Sequence, residues 1–198
     1  MIGIIDYGAG NLRSVRKALD FLEVESRILH SAADFSGLEK VILPGVGAFQ
    51  AAVDKLREYG MEQPVLDWIA ADKPFLGICV GMQVLFDSGA ESPGAKGLGV
   101  FAGEVPKFDH HKVPQIGWNR LNIRQASPLL NGIPDGSYFY FLHSFYCKPA
   151  DPDVIIAETD YGITYTAIVQ RGNVFAVQFH PEKSAENGLK LLKNWIEL

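Results

Sequence analysis

A cysteine placed between two glycines is the feature of this chain best suited to covalent chemistry. The run Gly77-Ile78-Cys79-Val80-Gly81 follows a short apolar stretch and precedes a helix-like one. This is the G-x-S-x-G pattern of a nucleophile elbow, with sulfur in place of oxygen. The glycines relieve the crowding of a strand that turns at once into a helix, and the positive end of the helix dipole would lie beside the thiol. The pattern predicts that Cys79 is a nucleophile that attacks a carbonyl.

His180 is the best placed of the five histidines to serve as the base for Cys79. It directly follows the apolar run of residues 174–179, so a buried strand would deliver its ring to the carboxyl edge of a sheet, where sites of open α/β sheets form. Glu182 can accept the other ring N–H and stabilise the imidazolium. Alone, His180 would be equally compatible with a surface histidine beside a chance carboxylate. The elbow favours a Cys79–His180–Glu182 triad.

An acyl intermediate also needs donors for its oxyanion. The elbow supplies the backbone N–H of Val80. The run Pro44-Gly45-Val46-Gly47 ends another apolar stretch, and its glycines would let backbone N–H groups of Val46 and Gly47 approach a ligand. A simple strand-to-helix turn is the alternative interpretation of a Pro-Gly pair. We expect this loop to complete the oxyanion hole.

The other motifs of the chain are weaker indications of function. Gly8-Ala9-Gly10 begins like a dinucleotide fingerprint, but Arg13 stands where the third glycine belongs. The adjacent His110 and His111 would point to opposite faces of an extended chain and have no further ligands at metal spacing. Two other residues are expected to be structural: His143, beside an aromatic run, and Cys147, which lacks an elbow. We therefore expect no metal and no cofactor.

Strands and helices alternate over the first half of the chain. Apolar runs typical of buried strands occupy residues 1–6, 24–29, 40–43 and 75–78, and helical spacing occupies residues 11–22, 49–59, 65–71 and 81–86. This alternation predicts a mainly parallel central sheet flanked by helices, an α/β fold of flavodoxin-like type.

The second half of the chain follows a different pattern. A stretch rich in small and turn residues, 87–99, predicts an exposed loop. Strand-like runs then follow at residues 138–147, 154–158, 164–169 and 174–179, separated by turn signals, and residues 184–196 close the chain as a helix with Ser184 as a possible N-cap. These runs predict antiparallel strands added to the same fold.

Composition narrows the class of protein further. A chain of 198 residues with 47% hydrophobic and 21% charged residues predicts a single globular domain over residues 1–198. The net charge of −5 argues against nucleic acid as the main partner. No run is long and apolar enough to cross a membrane, and there is no signal-peptide pattern. Two cysteines without a disulfide framework fit a reducing, cytoplasmic location.

Taken together, the motifs resemble class I (triad) glutamine amidotransferases. Within that class the whole chain resembles the glutaminase subunits of imidazole glycerol phosphate synthases, which act in histidine biosynthesis. The stretches that carry the resemblance are residues 6–12 (DYGAGNL), 44–49 (PGVGAF), 77–83 (GICVGMQ), 117–119 (GWN), 143–145 (HSF) and 178–184 (QFHPEKS). Two positions depart from the pattern: Phe145 stands where Tyr is usual and Val80 where Leu is usual.

The resemblance implies a complete chemistry. Cys79 would attack the carboxamide of L-glutamine and form a thioester, with His180 as base and then acid. Gly45, Gln83, Ser144 and Phe145 would hold the substrate. The ammonia would pass within a heterodimer to a (β/α)₈-barrel cyclase subunit that makes imidazole glycerol phosphate and AICAR, and water exclusion would keep it unprotonated. Four residues match positions near the partner: Asn11, Trp118, Asn119 and Tyr138.

Two alternatives remain open from the residues. The glutaminase could serve another partner, as in the pyridoxal phosphate synthase system, although residues 6–11 and 117–119 argue against that. The chain could instead be a cysteine hydrolase or redox-sensing protein of flavodoxin-like fold, which would require a reactive thiol but not Glu182.

Overall fold

A computed structural model describes residues 1–91, 94–109 and 112–198. Its first half alternates strands with helices, in the order β1 (Ile2–Ile5), α1 (Leu12–Phe21), β2 (Ser26–Leu29), β3 (Lys40–Gly45), α2 (Phe49–Glu58), α3 (Glu62–Ala70), β4 (Phe75–Cys79) and α4 (Val80–Gln83). The predicted strands and helices of this half are confirmed, with one change: α4 is a single turn that ends at Gln83 rather than at residue 86.

The second half adds nine strands and a closing helix. They are β5 (Phe86–Gly89), β6 (Phe101–Val105), β7 (Gln115–Arg120), β8 (Asn122–Ile123), β9 (Tyr138–His143), β10 (Lys148–Pro149), β11 (Ile155–Asp160), β12 (Thr164–Arg171), β13 (Val174–Val177) and α5 (Ala185–Ile196). The long predicted strand at 138–147 ends at His143, where the chain turns into the site.

An eight-stranded sheet forms the centre, in the order β2-β1-β3-β4-β13-β12-β11-β8. The strands from β2 to β13 are parallel, and β12, β11 and β8 are added in antiparallel fashion. Strands β1, β4 and β13 are buried at every position because helices cover both faces, as expected of parallel sheets. The predicted α/β class, with a mainly parallel sheet and added antiparallel strands, is confirmed.

The helices bury the faces that their spacing predicts. In α2 these residues are Phe49, Ala52, Val53 and Leu56. Helix α5 begins after Ser184, but that hydroxyl makes no cap to the helix: it donates to the His180 carbonyl (2.7 Å) and accepts from the Tyr140 N–H (2.9 Å). Ser184 therefore ties the chain around His180 to strand β9.

The prediction of an exposed loop over residues 87–99 is wrong at its start. Strand β5 lies there, parallel to β6 and in a three-stranded sheet with β10. The Asp87 carboxylate accepts the Gly103 N–H at 2.9 Å, and Leu98 N–H donates to the Val84 carbonyl at 2.7 Å. These long-range hydrogen bonds hold a segment whose composition is typical of a loop.

A separate two-stranded ribbon joins β7 and β9, with Gln115 opposite His143 and Arg120 opposite Tyr138. Strand β9 therefore runs from the exposed Tyr138 to the buried His143, which are 45% and 6% exposed. Five residues of strand span about 17 Å. This strand connects the protein surface with the carboxyl edge of the central sheet.

Candidate active site

Cys79 is the last residue of strand β4, and it has a backbone conformation that few residues adopt. Its φ and ψ are 55° and −110°, and a positive φ is strained for a residue with a side chain. Gly81 makes this turn possible, because a Cβ there would collide with the Leu43 carbonyl oxygen of β3. The strain persists because β3 and the elbow are packed backbone to backbone. The thiol is thereby held at the carboxyl edge of the sheet.

The helix after the elbow is shorter than predicted. Because α4 has only four residues, its dipole is that of a single turn, and the expected contribution of a helix N-terminus to the thiol is small. The electrostatics of Cys79 depend instead on the side chains that surround it.

His180 and Glu182 meet in the interior. The Nδ1 of His180 lies 2.9 Å from Oε1 of Glu182, and both side chains are about 2% exposed or less. A short 3₁₀ turn, Pro181–Lys183, brings the carboxylate back to the ring, and the His180 N–H donates to the Tyr140 carbonyl at 2.9 Å. The carboxylate therefore accepts a hydrogen bond from the Nδ1–H, which leaves Nε2 free for chemistry.

The charge state of His180 follows from its neighbours. Burial alone would lower its pKa, but the Cys79 sulfur and the Glu182 carboxylate outweigh burial and raise the pKa to about 10. The Nε2 atom has no partner in hydrogen-bond geometry among the described residues. Catalytic hydrogen bonds are commonly loose before substrate binds. His180 thus holds a proton beside Cys79 at neutral pH.

A cavity of about 340 Å³ opens over Cys79 and His180, within the usual size of small-molecule sites. Its lining includes most of the residues predicted from the sequence: Val46, Gly47, Cys79, Val80, Gln83, Ser144, Phe145 and His180. Two predicted residues lie behind it. Glu182 stands on the far side of His180, and Gly45 packs beneath the elbow, where a Cβ would meet the backbone of Val80 and Gly81. The cavity therefore brings the thiol, the imidazole and the glycine loop together.

The glycine loop lies beside the elbow because β3 and β4 are paired, with Gly45 opposite Cys79. Gly47 has a φ of 95°, and Val46 is 39% exposed. Only glycine adopts the Gly47 conformation without strain. The loop thus places backbone at the wall of the same cavity that the imidazole lines.

The part of the cavity wall formed by Ser144 and Phe145 is held by buried side chains. The Phe145 carbonyl accepts from Gln83 Nε2 at 3.0 Å and lies 2.7 Å from Nδ1 of His143. The Ser144 carbonyl accepts the Phe108 N–H at 3.1 Å. Both carbonyls of this turn are therefore engaged within the protein, which fixes the turn at the wall of the cavity.

His143 was predicted to be structural, and it lines the cavity as well. Its Nε2 lies 3.0 Å from the Tyr165 hydroxyl, which lies 2.8 Å from the Gln115 amide oxygen. Burial lowers the pKa of His143 to about 4, so the ring is neutral and does not compete with His180 as an acid.

Glu91 is a cavity residue that sequence reasoning missed. Its Oε2 accepts the Phe49 N–H at 2.6 Å, which anchors the segment after β5 to the start of α2. Glu91 lies within residues 87–99, whose composition is typical of an exposed loop, and it belongs to no local motif that would predict a position in a cavity. It gives the cavity a carboxylate away from the His180–Glu182 pair.

The four residues that the resemblance places near a partner differ from one another in their exposure and hydrogen bonding. Trp118 and Tyr138 are 50% and 45% exposed, beside Ile116 at 60%. Asn119 is engaged internally, since its Nδ2 donates to the Asp160 carbonyl at 2.6 Å. Asn11 precedes α1 without a side-chain cap. We call Ile116, Trp118 and Tyr138 the aromatic patch.

No cluster of three His, Cys, Asp or Glu side chains suited to a metal occurs in the described ranges, and His110 and His111 lie outside them. Among the helices that the structure describes, none is long and apolar enough to cross a membrane.

Comparison with known proteins agrees with this geometry. The family model of "Glutamine amidotransferase class-I" matches residues 3–198. A solved "Crystal structure of glutamine amidotransferase" superposes with a TM-score of 0.78 at 22% identity, covering 99% of this chain and 97% of that one. A further neighbour, "Structure of PurLQS from Thermotoga maritima", gives a TM-score of 0.78 at 19% identity, with 99% and 97% covered. The chain belongs to the class I glutamine amidotransferase family.

Relatives of higher sequence identity show which group within this family the chain belongs to. The chain is 50% identical over 196 residues to "Imidazole glycerol phosphate synthase subunit HisH" of Desulfitobacterium hafniense, covering 98% of this chain and 93% of that protein. It is 45% identical over 199 residues to the HisH subunit of Methanocaldococcus jannaschii, covering 100% of both. Within the class I amidotransferases, the chain therefore belongs with the HisH subunits.

Proposed function

We propose that this protein hydrolyses L-glutamine and delivers the ammonia to the cyclase subunit of an imidazole glycerol phosphate synthase, in histidine biosynthesis. The observation that carries the proposal is the buried His180–Glu182 pair, 2.9 Å apart, whose histidine lines one cavity together with the strained Cys79. An acid and a nucleophile so placed suit acyl transfer. We also propose that residues 1–198 form a single domain.

The triad supports a two-step reaction. His180 Nε2 holds the proton of the Cys79 thiol, and the thiolate sulfur attacks the carboxamide carbon. The carbonyl oxygen becomes the oxyanion, and His180 gives that proton to the nitrogen. Collapse of this intermediate expels ammonia and leaves a thioester. Water then attacks the thioester while His180 takes a proton from it, and collapse releases glutamate and restores Cys79. Glu182 stabilises the imidazolium in the charged steps.

The cavity wall can recognise both ends of the substrate. In this proposal the backbone N–H groups of Val80, Val46 and Gly47, which all line the cavity, donate to the oxyanion, and one such donor is worth about 10²–10³ in rate. Glu91 offers a carboxylate to the α-ammonium group, and the N–H groups of Ser144 and Phe145 offer donors to the α-carboxylate. Gln83 and Gly45 hold these walls in place through their contacts.

The aromatic patch supports a heterodimer. Exposed Trp and Tyr are enriched in protein interfaces, and β9 connects this patch directly with the cavity. We place a (β/α)₈-barrel cyclase there, because ammonia that crosses open water becomes protonated and loses its nucleophilicity. The ring-forming step belongs to that partner. The net charge of −5 and the two free, buried cysteines fit a cytoplasmic protein that binds neither nucleic acid nor membrane.

The test compares two ammonia sources in the complex with the cyclase. In Cys79→Ala, product formation with glutamine should stop, whereas product formation with ammonium salts should continue. Ser36→Ala is the control, since that exposed side chain lies outside the cavity lining, and it should keep both activities. Loss of both activities in Cys79→Ala would contradict the division of roles.

A second measurement tests the partnership. Glutamine hydrolysis by the isolated chain should be near zero and should rise when the cyclase and its nucleotide ligand are added. Full hydrolysis without the cyclase would contradict the coupling but leave the triad intact.

A further inference from the structure

Gln178 touches the nucleophile but has no part in the triad chemistry. Its side chain is fully buried, and its Nε2 donates to the Cys79 Sγ at 3.8 Å. Within the described chain, the Leu142 carbonyl also lies 3.8 Å from that sulfur and accepts the S–H, and the His180 side chain interacts with it as well. When the thiol loses its proton, the Leu142 contact loses its donor, whereas the Gln178 amide remains a donor to the sulfur beside the His180 imidazolium.

The orientation of the Gln178 amide is fixed by a chain of hydrogen bonds. The Phe145 carbonyl is purely an acceptor, so Gln83 must face it with its nitrogen, at 3.0 Å. The same nitrogen donates to Gln178 Oε1 at 3.2 Å. The oxygen of Gln178 therefore faces Gln83, and its nitrogen faces Cys79. A backbone carbonyl thus determines, through two amides, that the sulfur receives an N–H donor.

A second contact reinforces this orientation. The Cys147 thiol donates to the same Gln178 Oε1 at 3.9 Å. Burial raises the pKa of Cys147 well above its ordinary value, so the thiol stays protonated and remains a donor. A rotated Gln178 amide would turn its NH₂ group toward two donors, Gln83 and Cys147, and leave buried polar groups unsatisfied.

We propose that Gln178 is a further catalytic residue, which stabilises the anionic sulfur of Cys79 through its Nε2–H. The proposal rests on Cys79 being the nucleophile of the proposed function. The anion is present when the thiol is activated and again when the thioester breaks down, so a fixed donor favours both events. Because the donor is buried and already oriented, it needs no reorganisation when the charge appears.

Other titratable groups also act on this sulfur, and the test must separate them from Gln178. They come from every neighbouring element: His180 with Glu182 behind it, Tyr7 after β1, Tyr165 of β12, Cys147, and, on the cavity wall, His143 and Glu91. None of these residues is substituted in a Gln178 variant, although Cys147 loses its hydrogen bond to Gln178 Oε1.

The experiment measures the rate of Cys79 alkylation by iodoacetamide as a function of pH, with the modified cysteine identified by mass spectrometry. Gln178→Met keeps the length and volume of the side chain but lacks the N–H donor. A hydrogen bond to a charged group corresponds to about one to two pH units. The alkylation profile of Gln178→Met should therefore move upward by that amount, with at least a tenfold slower reaction at neutral pH.

Gln170→Met is the matched control. Gln170 lies in β12 opposite Phe175, at the end of the sheet away from the cavity, and accepts from Ser127 at 2.7 Å. Its alkylation profile should coincide with that of the unaltered protein. A Gln178→Met profile that also coincides with it would overturn the proposal. Since alkylation requires no glutamine, this result is independent of whether the glutaminase assignment holds.

A measurement on the unaltered protein covers the case in which Gln178→Met does not fold. The side-chain amide resonances of Gln178 should shift when Cys79 is alkylated, because the acceptor of its N–H is changed. Resonances of the Gln170 amide should stay in place. A Gln178 amide that does not respond to alkylation would refute the contact.

Discussion

His180 and Glu182 form a pair in which one buried carboxylate sets both the orientation and the charge of the ring. The 2.9 Å contact at Nδ1 directs Nε2 toward Cys79. Burial disfavours the imidazolium, so its persistence depends on the negative charges around it. The nearby His143, without such a carboxylate, is buried in the neutral form. Two histidines on one cavity thus take opposite charge states for local reasons.

Glu182→Gln should separate these effects, because it keeps the shape of the side chain and removes its charge. The pKa of His180 should fall from about 10 toward its ordinary 6.5. Glutamine hydrolysis in the complex should drop by about 10²–10⁴-fold at neutral pH, the usual worth of a general acid. Titration of the His180 ring by NMR reports the pKa shift, and steady-state kinetics report the rate.

The free energy of unfolding should depend on pH between the ordinary pKa of histidine, 6.5, and the raised pKa of His180, about 10. A raised pKa means that the folded state holds a proton that the unfolded chain releases above pH 6.5, so this contribution is full below 6.5 and is lost as pH rises through about 10. Across that window the free energy of unfolding should fall by up to about 1.4 kcal/mol per pH unit, and less steeply in Glu182→Gln. Glu197→Gln, an exposed carboxylate of a surface ion pair, is the control. Parallel curves for both variants would contradict the assignment.

At the scale of elements, the elbow depends on how closely β3 and the start of α4 approach. Gly81→Ala should be strongly destabilising, because its Cβ would enter the Leu43 carbonyl and β3 is held by paired strands on both sides. We expect a loss of about 3 kcal/mol or more, at the upper end of overpacking effects. Urea unfolding followed by circular dichroism measures it.

Gly37→Ala is the matched glycine control. Gly37 has a φ of 74° but nothing within 4 Å of a Cβ, so the substitution carries only the conformational cost of about 1–2 kcal/mol. If Gly81→Ala cost no more than Gly37→Ala, the close packing of β3 against the elbow would not be what holds Cys79 in its strained conformation.

These elements also show what the sequence can predict. Buried strands and amphipathic helices such as α2 have local periodicity, and the triad lies in motifs with fixed spacing, so both are visible in the residues alone. Strand β5 and the cavity position of Glu91 depend on long-range hydrogen bonds to Gly103 and Phe49, which leave no local pattern. The role of Gln178 likewise depends on contacts with residues up to a hundred positions away.

At the scale of the whole molecule, β9 carries Tyr138 of the aromatic patch and, at its other end, one wall of the cavity, while β7 beside it carries Ile116 and Trp118. Tyr138 begins β9, Tyr140 accepts the His180 N–H, and His143 ends the strand. A partner that contacts the patch would therefore press on a strand that is hydrogen-bonded directly to His180. This arrangement gives a physical path by which association with the cyclase can affect glutamine hydrolysis.

Trp118→Ala tests this path. Trp118 is 50% exposed and packs edge-on against Tyr140, with ring centroids 6.0 Å apart. Loss of an interfacial Trp commonly costs 2 kcal/mol or more, about thirtyfold in affinity. We expect weaker binding to the cyclase by calorimetry and less cyclase-stimulated glutamine hydrolysis. The melting temperature should hardly change, since half of the side chain is in solvent.

Phe21→Ala is the control for loss of an exposed aromatic side chain. Phe21 is 72% exposed at the carboxyl end of α1, which in a parallel α/β fold lies at the edge of the sheet opposite the cavity. Its removal should leave both affinity and stimulated hydrolysis unchanged. If Trp118→Ala bound the cyclase as tightly as Phe21→Ala, the aromatic patch would not be the docking surface. If it bound weakly but was fully stimulated at saturating cyclase, the patch would supply affinity alone, and the hydrogen bond from His180 to β9 would not transmit activation.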